Sequence, residues 1–220
     1  MFEAKEIIYQ NKDWVTLIFF AILLILTFLK ILFKERLSQI LTLFLSKKYL
    51  LIHFNKDRST ILSVFQISLF VVQSLILSLI IYFSFAYFGS SLNESNFTQF
   101  LSILLGVSLY FGIRYLVGLF LTFLFNLKLE HSKIIYDKVN YFNNLILWII
   151  PFLIISIYAQ NFHIIFFKIT CVIFLILLAI RYILVLSNNK KLIFNNLFYF
   201  ILYLCALEIA PLLIIIKLTI

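Results

Sequence analysis

Two ionisable residues, Arg114 and Glu208, lie deep inside long apolar stretches of this sequence. Each is eleven residues from one end of its stretch, near 125 and near 197 respectively. That separation is about 16 Å at the rise of an α-helix. A charge inside a bilayer costs about 2.5–3.5 kcal/mol on insertion scales, so such residues usually pair or line a cavity. We therefore predict that Arg114 and Glu208 form an intramembrane ion pair.

Other polar residues near the same depth are suited to complete the hydrogen bonds of such a pair. Pro211 cannot donate to the carbonyl of Leu207, so we expect a helix kink beside Glu208. The supporting polar groups that we predict are Gln73, Tyr110, Tyr203 and Arg181. Arg181 lies somewhat shallower and is a competing partner for Glu208. For Arg181, as for Lys168, the favoured interpretation is that the long stem extends to the lipid headgroups.

The predicted pair has two interpretations, one structural and one functional. In the same stretch as Arg114, Gly106, Gly112 and Gly118 recur every six residues, which favours close approach of another helix. The pair can therefore fix which helices are neighbours, or it can form a substrate or proton site. Transporters commonly show internal repeats and broken helices in both halves. One kinked carboxylate without a repeat favours the structural interpretation.

No arrangement typical of catalysis or of metal binding is found in the sequence. His53, His131 and His163 lie in connections or at the edges of apolar stretches, too shallow to ligate a haem between helices. Cys171 and Cys205 lie inside apolar stretches without the CxxC spacing of metal or redox sites. We therefore expect a protein that is not an enzyme and that has no metal and no cofactor.

The composition and the apolar stretches predict the fold class. The 220 residues are 64% hydrophobic and 12% charged, far more apolar than a soluble domain. Six stretches reach the roughly 20 residues that a membrane helix needs. They lie at about 14–33, 61–88, 100–125, 141–159, 164–186 and 197–220. Because bare backbone is not tolerated in lipid, we predict an all-α, polytopic, single membrane domain, whose first stretch is a retained span.

The charges of the connections predict the orientation of these six spans. Basic residues follow the first, third and fifth stretches, whereas the opposite connections, GSSLNESN and QNFH, contain no lysine or arginine. The positive-inside rule then places the basic connections in the cytoplasm and both termini outside, the N-out/C-out topology. The net charge of +9 is thus an orientation signal. It does not form the continuous basic face that nucleic-acid binding requires.

The connection between the first two spans, about 36–54, has the pattern of an amphipathic helix. Its apolar residues fall at helical spacing: Leu37, Ile40, Leu41 and Phe44. The pattern fits a helix in the membrane interface, with Arg36, Lys47 and Lys48 near anionic headgroups. Packing against the chain's own spans is the equal alternative, and the groove of a partner protein is a third.

Two segments resemble a known family. They are "FYFILYLCALEIAPLLIIIK" at the end of the chain and "SKKYLLIHFNKDRSTILSVFQISLFVVQSLILSLIIY", which covers the first basic connection and second span. Both are similar to the Bacteroidetes inner-membrane family called domain of unknown function 4271. The resemblance implies an integral protein of the bacterial cytoplasmic membrane and draws attention to Glu208 and Pro211 in "LEIAPLL". It implies no activity and no catalytic residues.

Together these observations predict a non-catalytic integral inner-membrane subunit, or an assembly or scaffold factor of a larger membrane complex. Its expected partners are membrane lipids and another integral membrane protein, and not nucleic acid. The alternative is a small transporter or ion-coupled permease that uses Arg114 and Glu208. A lipid-metabolising enzyme is a more distant third, because it would need a polar cavity open to one leaflet.

Overall fold

The computed structural model describes residues 13–44, 64–88, 97–125, 128–159 and 162–188. Within these ranges the chain is all-helical, without a strand, as predicted. The six helices are α1 (Asp13–Leu32), α2 (Lys34–Leu41), α3 (Val64–Phe88), α4 (Phe97–Phe125), α5 (Lys128–Tyr158) and α6 (His163–Asn188). The predicted sixth span, 197–220, and residues 45–54 of the amphipathic segment lie outside the described residues.

Five of these six helices are long and apolar enough to cross a bilayer. The crossing segments are Asp13–Leu32, Val64–Tyr87, Phe97–Gly118, Lys133–Tyr158 and His163–Asn188. The chain is therefore a membrane-embedded helical protein. Apolar side chains on these helices do not need protein neighbours, because lipid tails are as apolar as leucine.

Helix α5 differs most from the predicted spans. The predicted span starts at 141, whereas the helix begins at Lys128 and runs for 31 residues through Pro151 to Tyr158. No glycine or proline occurs between Lys128 and Ile150, so nothing in that segment breaks a helix. At about 46 Å, a helix of this length exceeds the roughly 30 Å hydrocarbon core. The residues from Lys128 to 140, which were predicted to form a connection, are therefore the first turns of helix α5.

Ring contacts and one hydrogen bond bring one end of each long helix into a single aromatic cluster. Trp14 at the start of α1 packs edge-on against Tyr82 of α3, with ring centroids 5.2 Å apart. The hydroxyls of Thr16 and Tyr158 share a hydrogen bond of 2.7 Å between α1 and α5. Tyr87 of α3 contacts Phe167 of α6 at 5.1 Å. Consecutive long helices therefore run antiparallel, with the start of α1 beside the end of α3.

A second core closes the opposite end of the bundle, and helix α2 forms part of it. Leu37, Ile40 and Leu43 are buried in a cluster with residues of α1, α3, α5 and α6. The indole N–H of Trp148 donates to the carbonyl of Leu41 at 3.2 Å. The described part of the amphipathic segment therefore packs on the chain's own spans, the second of the two main interpretations. Leu41, predicted on the apolar face, is instead 40% exposed.

Candidate functional site

Four charged or amide side chains from four helices line one cleft of about 110 Å³. They are Gln73 of α3, Arg114 of α4, Lys138 of α5 and Arg181 of α6. The aromatic rings of Phe111 and Phe142 form part of its wall. Among the described residues, three cations and no carboxylate line the cleft, and the buried Asp137 lies next to Lys138 in α5.

The cleft lies in the half of the bundle that contains the second core. Arg181 is seven residues before the end of α6 at Asn188, and Arg114 eleven before the end of α4 at Phe125. Lys138 is five residues after Lys133, where the membrane-crossing part of α5 begins. At the helical rise these positions are about 10, 16 and 8 Å from those three reference residues, and Arg114 is about 6 Å from Gly118, where the crossing segment of α4 ends. The three cations therefore lie between the membrane interface and the bilayer centre, on the side that is predicted to be cytoplasmic.

Arg181 is held inside the bundle. Its side chain is 8% exposed, and its Nη2 donates to the carbonyl oxygen of Lys138 at 3.1 Å. The guanidinium carbon lies 4.5 Å from the ring centroid of Phe142, a cation–π contact. The interpretation that Arg181 extends to the headgroups is therefore wrong. Lys168, near the other end of α6, is exposed and fits that interpretation.

The structure brings together three of the residues predicted around the ion pair. Gln73, Arg114 and Arg181 all line the cleft, and Gln73 is buried. Tyr110 does not reach it. Its ring is 37% exposed and packs edge-on against Phe111 at 5.6 Å.

Several other predicted site residues lie outside the described part of the chain. These residues are Glu208, Pro211, Tyr203, Lys47 and Lys48. The ion pair between Arg114 and Glu208 therefore remains a prediction.

The glycines of α4 do not share one environment. Gly118 lines the cleft beside Arg114. At Gly106 and Gly112, nothing in the described chain lies within 4 Å of the position that a Cβ would take. Steps of six residues turn a helix by about 240°, so the three glycines cannot form one stripe. Within the described bundle, no other helix therefore approaches α4 closely at Gly106 or at Gly112.

The sequence analysis misses the polar stretch of α5, which runs from Asp137 to Asn144. Its polar members are all buried: Asp137, Lys138, Asn140, Asn143 and Asn144. Asn140 donates through Nδ2 to the carbonyl of Tyr136 at 2.9 Å. The side-chain amide of Asn144 has no hydrogen-bond partner among the described residues. A helical spacing of three and four in Asp137, Asn140 and Asn144 is the pattern that could have identified this stretch.

The second predicted feature, the interfacial basic group, is described only at Arg36. This residue is half-buried and lies over the ring of Phe33, 5.9 Å from its centroid. In the part of the chain that the structure describes, no three His, Cys, Asp or Glu side chains converge on a point where they could hold a metal.

Comparison with protein families matches residues 15–219 to the family described as "Domain of unknown function (DUF4271)". The chain belongs to this family. The match covers the cleft-lining residues and also Glu208, so it confirms the resemblance seen in "LEIAPLL". Comparisons with curated proteins and with solved structures gave no match. The function of this DUF4271 chain must therefore be argued from its own site.

Proposed function

We propose that this DUF4271 protein is a non-catalytic membrane subunit, or an assembly or scaffold factor, that packs against another integral membrane protein. The observation that supports the proposal is the sparse packing of α4 among the described residues, which leaves a face for the sixth predicted span and for a further membrane protein. In an 18-residue window of the crossing segment of α4, only 6% of the residues are buried, against 67% in the corresponding window of α5. Helix α4 nevertheless carries two open glycines, Gly106 and Gly112, whose small size suits close contact with a further helix.

In this proposal the Arg114–Glu208 pair has a structural role. Arg114 is half-buried and about 16 Å from the end of α4, a depth at which an acidic partner is strongly favoured. Pairing with Glu208 would fix the sixth predicted span against α4, with the Pro211 kink beside it. Arg36, Lys47 and Lys48 would bind anionic headgroups at the same end of the bundle.

The proposed setting is the bacterial cytoplasmic membrane, with six spans and both termini outside. The described basic residues support this orientation. Lys30, Lys34, Arg36 and Lys133 lie near one end of the bundle, at the ends of α1 and α5 and in α2. The aromatic cluster around Trp14 and Tyr87 occupies the other end.

Affinity purification of the tagged chain from its own membrane in a mild detergent, followed by mass spectrometry, tests the subunit proposal. We expect a second integral membrane protein in fixed stoichiometry. Recovery of the chain as an active monomer without a partner would contradict the proposal. A matched control is an unrelated tagged protein with a similar number of spans, because it reports proteins that co-purify with any solubilised membrane fragment.

The second candidate is a small ion-coupled transporter, which the cleft and the polar stretch of α5 favour. Buried polar residues occur on both α3 and α5, which are in contact: Gln73, Ser74, Ser78, Asp137, Asn140 and Asn144. Such residues at membrane depth often mark an ion pathway.

The variant Glu208→Gln separates the two functions. The subunit proposal expects a lower thermal stability, because the variant removes the predicted acidic partner of Arg114. The transporter candidate expects unchanged stability and loss of proton flux, measured with an internal pH-sensitive dye in proteoliposomes. If Glu208→Gln kept its thermal stability and lost proton flux, the result would contradict the subunit proposal and support a transporter.

A further inference from the structure

We propose that α2 is a strap that opens away from α5 and admits water to a buried polar face of that helix. The opening lies at the predicted cytoplasmic end of the bundle. This inference goes beyond the proposed function, because it applies to a subunit and to a transporter alike. It rests on side-chain amides without hydrogen-bond partners and on the way in which α2 is attached to the bundle.

The face of α5 that α2 covers contains a buried asparagine. Tyr141, Asn144 and Trp148 follow one another at helical spacings of three and four, so they share one face of α5. The ring of Tyr141 stacks on that of Phe44, with centroids 6.3 Å apart, and the indole N–H of Trp148 donates to the carbonyl of Leu41. Asn144 therefore lies on the face that α2 and the residues directly after it cover, and its exposed fraction is 0%.

The amide of Asn144 is in an unfavourable environment while α2 is closed. Neither its Nδ2 nor its Oδ1 has a hydrogen-bond partner among the described residues, and the same is true of the buried Oε1 of Gln39 on α2. A polar group that leaves water without gaining a new partner loses the free energy of its hydration. Water that entered beneath α2 would restore these hydrogen bonds. Polar groups on α5 and on α2 therefore favour opening.

Apolar contacts and one hydrogen bond hold α2 in the closed arrangement. Leu37, Ile40 and Leu43 are buried in the second core, and the hydrogen bond from Trp148 adds a polar contact. The apolar face of an interfacial amphipathic helix can lie in lipid instead, and lipid tails are as apolar as leucine. Opening therefore exchanges protein for lipid around these side chains, which costs less than their exposure to water.

Phe33 forms the hinge of the strap. It is the one residue between the end of α1 at Leu32 and the start of α2 at Lys34. Its φ of −134° and ψ of 43° lie outside the helical region. Residues at the ends of helices are the usual positions where a hinge motion changes the backbone angles. The ring of Phe33 packs edge-on against Phe65 of α3, with centroids 5.5 Å apart, so the hinge is anchored while α2 rotates.

Hydrogen–deuterium exchange of the full-length chain in lipid discs, measured by mass spectrometry on peptides from α2 and α6, tests the proposal. A detached helix of eight residues is marginal, so the amides of α2 exchange mainly from the open arrangement. Trp148→Phe keeps an aromatic ring and removes the hydrogen bond to Leu41. Exchange in α2 should become about fivefold faster, the change that the loss of one typical hydrogen bond produces.

Asn144→Leu should have the opposite effect. It replaces the unpartnered amide by an apolar group of similar size, so the open arrangement no longer gains hydrogen bonds to water. Exchange in α2 should become at least about fivefold slower, while exchange in α6 changes less. The matched control is Asn140→Leu, one turn away, because the amide of Asn140 already donates to the carbonyl of Tyr136. It should not slow the exchange in α2.

Four results would overturn the strap. Unchanged or faster exchange of α2 in Asn144→Leu would show that the amide does not favour opening. Equal slowing in Asn140→Leu would assign the effect to any apolar substitution on α5. Equal changes in α2 and α6 would assign it to unfolding of the whole bundle. Unchanged exchange of α2 in Trp148→Phe would overturn the strap even if Asn144→Leu did not fold. None of these results depends on a partner protein, so they leave the proposed function untouched.

Discussion

Arg181 illustrates how a cation can be accommodated within the bundle. In place of water, its guanidinium contacts the backbone carbonyl of Lys138 and the face of the Phe142 ring. Both of these residues belong to α5. A hydrogen bond from a charged donor contributes about 1.5–3 kcal/mol, and a desolvated cation–π contact about 2. The same side chain also completes the cleft. The residue that was expected to reach the headgroups is thus a packing element between α5 and α6.

We predict that Arg181→Gln lowers the free energy of unfolding by about 2–4 kcal/mol, since it removes both contacts. Arg181→Lys should recover only part of this, because an ammonium cannot lie flat on the Phe142 ring. Lys168→Gln, on the exposed side of the same helix, should change stability by less than about 0.5 kcal/mol. Thermal unfolding in detergent compares the three variants. Equal stability of Arg181→Gln and Lys168→Gln would show that the observed contacts contribute nothing.

The Arg114–Glu208 pair can be tested by a double-mutant cycle. Each of Arg114→Gln and Glu208→Gln should lower stability, by up to about 3–5 kcal/mol, because each removes one member of the predicted pair. The double variant should cost less than the sum, with a coupling of about 0.5–3 kcal/mol. Thermal or denaturant unfolding of the four proteins gives the coupling. If the stability losses of the two single variants simply added up in the double variant, Arg114 and Glu208 would not be in contact. Arg181 would then be the predicted partner of Glu208.

At the residue scale, the sequence predicts those site members that stand out as polar or charged residues in apolar stretches. Arg114, Gln73 and Arg181 are found this way because depth alone places them near one another. Lys138 and Asn144 are missed because the low hydropathy around them is typical of a connection. Hydropathy averages over a window, whereas burial depends on which face of the helix a residue occupies. The polar face of α5 is thus hidden from a search for apolar stretches.

At the scale of elements, α5 is the central helix of the described bundle. It contacts α2, α3, α4 and α6, and 67% of the residues in an 18-residue window of its crossing segment are buried. That position explains why its first turns tolerate so many polar residues. A helix that is surrounded by other helices can meet polar side chains and backbone groups, whereas a lipid-facing helix cannot. The sequence predicts the existence of this helix but not its start, because start positions depend on tertiary contacts.

Helix α4 has open space beside two of its glycines, Gly106 and Gly112. Gly106→Leu and Gly112→Leu add bulk where the described bundle leaves open space, so we expect the fold to tolerate them. If a partner helix lies close to α4, at least one of the two variants should lose the partner in co-purification. Leu23→Phe, on the 48% exposed face of α1, is the matched control and should retain it.

The stability of the glycine variants distinguishes a partner from the chain itself. Loss of the partner with unchanged thermal unfolding places the contact between proteins. A lowered unfolding temperature in both variants would instead place a segment of this chain against α4. Retention of the partner by both variants, at normal stability, would contradict the proposal that α4 is the contact surface.

The amphipathic segment shows what periodicity can and cannot decide. Spacing correctly identifies Leu37 and Ile40 as residues of the apolar face, and both are buried. It does not distinguish lipid from protein as the apolar surroundings, because both accept the same side chains. The structure decides this for α2 through contacts such as the hydrogen bond from Trp148 to the Leu41 carbonyl.

At the scale of the whole molecule, the sequence predicts the helical class and six membrane-crossing segments, of which the structure describes five, since each needs only length and hydropathy. The antiparallel order follows from the short connections. The neighbours of each helix do not follow, because lipid and protein satisfy apolar side chains equally well. The cleft is therefore visible only once the helices are assembled.

The orientation is testable with single cysteines and a membrane-impermeant maleimide. We expect Ser91→Cys to be labelled in intact cells, and Lys47→Cys and Lys190→Cys only after permeabilisation, because the basic connections face the cytoplasm. The unmodified chain measures the background from Cys171 and Cys205, which lie in apolar stretches. Labelling of Lys47→Cys in intact cells would reverse the topology and place the cleft in the outer half of the membrane.

Native mass spectrometry of the tagged chain, extracted from its own membrane in polymer-bounded lipid discs, tests the central claim most directly. That claim is that this DUF4271 protein is a membrane subunit. We predict a species heavier than the 26.0 kDa chain by the mass of a second membrane protein in fixed stoichiometry. A species with the mass of the chain alone, found in discs and also in a mild detergent, would contradict the claim.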